Sequence, residues 1–175
     1  MSRQLIDALI IAAVVVLGAT HLSAQGFSRK VVRPNAAGGT TASAVRGVQG
    51  PNGGAAMGAR GVATDGQGNA AGGSAQAFKG PGGTTGARAG GFTRSADGSV
   101  QHQSGGAVNG ANGSATSSGS MAKSADGTVS GSRDTSAEAN SGATYDGNTA
   151  YDKDSGVTHT GTCTNAAGEV VACAK

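Results

Sequence analysis

Phe92-Thr-Arg-Ser-Ala-Asp-Gly-Ser-Val100 returns as Met121-Ala-Lys-Ser-Ala-Asp-Gly-Thr-Val129, 29 residues later. The Ser-Ala-Asp-Gly centre is identical, and its flanks exchange Arg for Lys and Ser for Thr. Adding the same 29 to Gly98 and Gly127 reaches Gly156, in Asp154-Ser155-Gly156. Halfway between lie Asn112-Gly113 and Ser141-Gly142. The pairs Asp97-Gly98, Asn112-Gly113, Asp126-Gly127, Ser141-Gly142 and Ser155-Gly156 therefore follow one another at steps of 15, 14, 15 and 14. Asp-Gly and Asn-Gly are the strongest short hairpin signals, because a two-residue loop holds both central residues at positive φ.

Backward from Gly98 the ruler continues through Pro81-Gly82-Gly83, Gly68 and Pro51-Asn52-Gly53 at steps of 15, although the sequence between is less regular. The stretches between turns are about ten residues long, such as Ser114 to Lys123. Their Ser, Thr and Val suit strands. No segment after residue 26 carries an apolar period of 3.6. The expected fold is all-β: a glycine-rich antiparallel β-meander of strand-turn units 14–15 residues long, with each 29-residue repeat forming one hairpin. Small side chains leave room for a second sheet layer. A β-solenoid is the alternative, since a fixed long period is also its signature.

Composition sets the terms of folding. Every Leu and Ile lies at or before Leu22, and 33 of the 175 residues are Gly. Fixing a residue's backbone costs roughly 1–2 kcal/mol, most of all for Gly. Burying a Leu-sized side chain returns roughly 1.5–3 kcal/mol. Without Leu or Ile the chain cannot meet that cost with a thick core. Residues 25–90 are expected as a basic, low-complexity arm that is disordered or built of degenerate repeats, and 91–175 as the regular β-repeat region.

Residues 1–24 read as a signal peptide. Arg3 supplies the positive start, Leu9 to Leu17 is an unbroken apolar run, and Ser23 and Ala24 precede Gln25. Cleavage is expected between Ala24 and Gln25. That leaves no membrane span in the mature chain; an uncleaved N-terminal anchor is the alternative. Cys163 and Cys173, the only cysteines, agree with export to an oxidising compartment and are expected to form a disulfide. It would close a C-terminal hairpin in which Val157–Cys163 pairs with Glu169–Cys173 across Asn165-Ala-Ala-Gly168.

Charge is uneven. Gln25 to Gly91 holds seven cations and one acid, whereas Phe92 to Lys175 holds five cations and eight acids. Two partners follow from this: further copies of the chain, and an anionic envelope polymer bound through the basic arm. The cations are dispersed and only 3% of residues are aromatic, so the pattern is not that of a dedicated nucleic-acid binder.

Motifs for chemistry are lacking. His102 and His159 have no bulky residues nearby to wall a pocket, and there is no G-x-S-x-G or P-loop. Asp152-x-Asp154-x-Gly156 faintly resembles the opening of a calcium loop, but the later bidentate acid is missing, so these are read as turn acids. No catalytic residue, metal or cofactor is assigned. Thr158, Thr160, Thr162 and Thr164 alternate and would share one side of a strand. The expected function is that of a non-enzymatic structural or surface repeat protein of a bacterial envelope or extracellular matrix. Its alternatives are a self-assembling cross-β, amyloid-like fibre subunit and a binding module for anionic polysaccharide or envelope surface.

Overall fold

The computed structural model describes residues 26–173. The stretch expected as a signal peptide, with the expected cleavage positions Ala24 and Gln25, lies outside them. Eleven strands form one sheet: β1 (Phe27–Pro34), β2 (Thr40–Gln49), β3 (Ala55–Thr64), β4 (Ala70–Lys79), β5 (Thr85–Arg94), β6 (Val100–Gly110), β7 (Gly113–Lys123), β8 (Val129–Ala139), β9 (Thr144–Asp152), β10 (Gly156–Thr164) and β11 (Val170–Val171). Their spatial order is their sequence order and every pairing is antiparallel. This is the meander, not the solenoid, and it has a single layer. No hydrophobic side chain among the described residues is buried. Stability therefore rests on the hydrogen-bond ladders and on cross-strand side-chain pairs.

The ruler is visible in the backbone. Nine of the eleven positive-φ glycines among the described residues fall at 38, 53, 68, 83, 98, 113, 127, 142 and 156; the other two are Gly66 and Gly168. Within residues 25–90, expected as a low-complexity arm, β1 to β4 lie on the same period, and one sheet continues through β5. The reason is that ladder bonds involve only N–H and C=O, so a strand of Ala and Gly is held once its neighbours on both sides are in register.

Most loops are one residue longer than an Asp-Gly hairpin requires. At Ser95–Ser99, the Gly98 N–H donates to Ser95 O at 2.9 Å and the Ser95 N–H to Ser99 O at 2.9 Å. The same pair of bonds closes the loops at Asn35, Gly50, Gly80, Ser124, Ala139 and Asn165. This is a three-residue loop with only its third residue left-handed, the pattern of a type I turn followed by a glycine bulge. Asp97 and Asp126 thus sit one place before the left-handed glycine. Their Oδ1 atoms accept the N–H of Ser99 and of Thr128, both at 2.9 Å. Pro51 and Pro81 occupy the first loop position, where a fixed φ near −65° is wanted.

Loops two strands apart on the same rim also touch. Asn35 Nδ2 donates to Thr64 O at 2.8 Å, the Ala96 N–H donates to Asn69 Oδ1 at 2.9 Å, and Asn140 Nδ2 donates to Ala111 O at 2.6 Å. Each rim is therefore tied by side-chain amides with nearly the repeat's own spacing.

Candidate functional site

Side chains alternate between the two faces of a strand. The pairing registers place Lys30, Arg46, Arg60, Arg88, Arg94, Lys123 and Arg133 on one face of the sheet. No carboxylate from any strand joins them. Asp134, Glu138, Asp146 and Asp152 all lie on the other face, with Arg29, Arg33 and Lys79. Linear charge counting divides the chain into a basic and an acidic half; pairing divides it again, by face.

On the cationic face two central rows cross the strands. In one, Lys30, Ala44, Arg60, Ser74 and Gly90 are successive cross-strand partners; in the other, Arg46, Gly58, Gln76 and Arg88 are. Each strand from β1 to β5 thus contributes one long polar side chain with a small residue beside it. Further along the sheet Arg133 donates to Ser117 Oγ at 3.0 Å and to Ser104 Oγ at 3.2 Å. Arg88 donates to Gln76 Oε1 at 2.9 Å. These partners are neutral, so they orient the guanidinium groups without cancelling their charge. An open trough of ≈ 1350 Å³ lies on this face, lined in part by Arg46, Arg60, Arg88, Arg133, Phe78 and His102.

Two apolar rows flank the charges. Val48, Phe78 and Val108 stand on one side, and Val62, Phe92 and Met121 on the other. All are at least 37% exposed. Phe78 pairs with Gly86, and Phe92 with Gly72. A Cβ on Gly72 would lie 2.7 Å from the Phe92 ring, so each ring covers a glycine. Aromatic cover of glycine is a known way to hold a weak strand. The signal for it was present in the sequence: Phe78 and Gly86 lie equally far from Gly82, as do Gly72 and Phe92. Only knowledge of which loop closes the hairpin turns that symmetry into contact.

No family model matches this chain, and neither the curated proteins nor the solved structures contain a significant match to it. Its function has to be argued from its own geometry.

Gly98, Gly127 and Gly142 are the left-handed third residues of their loops, and Ser141 precedes Gly142. Asn112 lies in the two-residue connection between β6 and β7, and Gly113 opens β7. Ser155 ends the loop before Gly156, the first residue of β10. Cys163 and Cys173 are bonded, with Cα atoms 5.3 Å apart. The closing hairpin is shorter than expected: β11 pairs only Val171 with Cys163 and Val170 with Thr164. Thr158, Thr160, Thr162 and Thr164 share the face opposite the cations.

His159 and His102 are on the cationic face but on β10 and β6, with β7, β8 and β9 between them, and are not brought together. His159 is held by Thr149 at 2.8 Å and by the Tyr145 hydroxyl at 3.2 Å. Asp152 Oδ1 accepts the N–H groups of Asp154 and Ser155 at 3.0 and 3.1 Å, which is turn capping. Those backbone bonds, Ser155 first, hold its carboxyl below the ordinary Asp range. Among the described residues no group of three or more His, Cys, Asp or Glu stands where it could hold a metal, and no helix is long and apolar enough to cross a membrane.

Proposed function

We propose that this protein is an exported, non-enzymatic structural repeat protein of a bacterial envelope or extracellular matrix, working as a finite β-ribbon with two chemically different faces. The observation that carries this reading is the eleven-stranded single layer in which no hydrophobic side chain is buried. Such a sheet spends its length on surface. Catalytic sites are normally walled pockets, and this architecture favours extended contact instead.

The two ends of the sheet support "finite". β1 is exposed throughout and carries Arg29, Lys30, Arg33 and Pro34. Charges and a proline on an outer strand are the usual devices against edge-to-edge pairing. At the other end β11 covers only the last two residues of β10, and the disulfide holds it there. Export is supported by the apolar N-terminal run and by the disulfide.

The second reading is a cross-β fibre subunit. It draws on one feature: among the described residues, Gly156–Thr162 of β10 pairs with β9 alone. Cell fractionation with N-terminal sequencing tests the first reading. An exported chain beginning at Gln25 that sediments as a monomer over a wide concentration range is the expected result. A chain retained in the cytoplasm overturns it. Concentration-dependent growth of dye-binding fibres favours the second reading.

A further inference from the structure

We infer that the cationic face binds a linear acidic polysaccharide, a polymer with a carboxylate on most of its sugars, laid across β1 to β5 along the length of the sheet. This adds a ligand to the structural reading and holds in whichever compartment the protein works.

The geometry supports a linear ligand. Lys30, Arg46, Arg60 and Arg88 come from β1, β2, β3 and β5, with Gln76 filling the place on β4. Neighbouring strands are ~4.8 Å apart, so five strands span ~19 Å and offer about one polar head group per strand. The long side chains change rows from β1 to β4, and Ala44, Gly58, Ser74 or Gly90 stands beside each one from β2 to β5. A ligand can therefore settle close to the backbone between them. Arg suits carboxylate because its planar fork can donate two parallel bonds. The exposed apolar rows of Val48, Phe78 and Val62, Phe92 on either side match the apolar faces of sugar rings.

Two competing occupants fit less well. A second copy placed face to face would set the seven strand cations against seven more, with no strand carboxylate on either side to offset them. Duplex DNA carries a charge every ~1.7 Å of axis, far denser than this ladder. Phe78 and Phe92 lie near opposite rims of the sheet, each over a glycine, rather than side by side as a base-stacking platform.

The test uses the purified, oxidised protein and three probes: polygalacturonate, neutral dextran, and duplex or single-stranded DNA. A ladder variant, Arg46→Gln/Arg60→Gln/Arg88→Gln, is compared with a variant of the opposite face, Arg29→Gln/Arg33→Gln/Lys79→Gln. Both lose three charges, and circular dichroism checks that both keep the strand signal. Should the triple ladder variant fail that check, Arg60→Gln alone replaces it and Arg33→Gln becomes its control.

The expected result is salt-sensitive binding to polygalacturonate and not to dextran. The triple ladder variant should lose about tenfold in affinity, and its control less than about twofold. Equal losses in the two variants would reduce the effect to net charge and overturn the assignment to this face. Absence of polygalacturonate binding at low salt overturns the ligand. Tighter binding to DNA, lost in the ladder variant, would make the face a nucleic-acid surface and overturn the polysaccharide assignment.

Discussion

The strands of β1–β5 carry eight cations and no carboxylate, whereas those of β6–β11 carry two cations and four carboxylates. The two halves also close their hairpins differently. Two loops of the first half use proline, at Pro51 and Pro81, and its other two use the side-chain acceptors Asn35 and Asp65; the second half has no proline loop, and most of its loops use an Asp or Asn side chain as an acceptor. Yet from β1 to β10 both halves keep strands of similar length and the same antiparallel ladder. The comparison separates two kinds of information. Loop spacing and left-handed glycines make the sheet, and almost any small or polar side chain can fill the strands between. What a half binds or repels is then set by the residues that this tolerance leaves free.

The largest test asks whether the halves are equally intolerant at their left-handed glycines. Gly113, with φ +144°, would place a Cβ 2.8 Å from the Ala139 Cα, whereas Gly83, with φ +83°, has open space around it. Gly113→Ala should destabilise by about 3 kcal/mol, from backbone strain and collision together. Gly83→Ala should cost only about 1 kcal/mol. Urea unfolding monitored by circular dichroism measures both, and equal costs would remove the distinction.

Opening the disulfide comes next and touches the second half alone. The chain-entropy model assigns roughly 2.5–3 kcal/mol to a loop of this size. β11 pairs at only two positions. The loss should therefore appear as faster amide exchange at Val170, Val171 and the end of β10, with β1–β5 unchanged. Reduction should also expose more of the β10 edge. If reduced protein associates no more readily than oxidised protein, β11 is not an edge guard.

Pro51→Ala and Pro81→Ala should each destabilise by ~0.5–1 kcal/mol through the unfolded chain, and only in the first half. Acidification gives the smallest effect and falls mainly on the second. Asp97 is held below the ordinary Asp range by the side chain and backbone of Ser99, and Asp126 by the backbone and side chain of Thr128. A carboxyl with a lowered folded pKa stabilises above its unfolded pKa, and that contribution is lost as pH falls through the folded value. The loops at Asp97, Asp126 and Asp152 should loosen below about pH 4, seen as faster exchange at the Ser99, Thr128 and Ser155 amides. Asp97→Asn should keep the Oδ1 acceptor and abolish the pH response at Ser99. The proline loops should show no such response.

The disulfide, the meander and its period were legible because they depend on local signals: two cysteines, turn residues at even steps, no helical period. Turn chemistry was legible only in part. Asp97-Gly98 marks the loop correctly, but whether one or two of its residues are left-handed depends on the bonds that close it. The order of residues 27–90 was less legible still. A strand such as Ala70–Lys79 has little to hold it except the two neighbours it pairs with.

The sequence by itself determined that the chain is β, that it repeats every 29 residues, and where most turns lie. These follow from residue types that act on their own backbone. Only the tertiary structure decided that Lys30, Arg46, Arg60, Arg88 and Arg133 share a face with no strand carboxylate. Facing has a period of two, so a shift of one residue in any register would send that strand's side chains to the other side. The registers are set by how each loop closes, and loop closure is a property of the folded backbone.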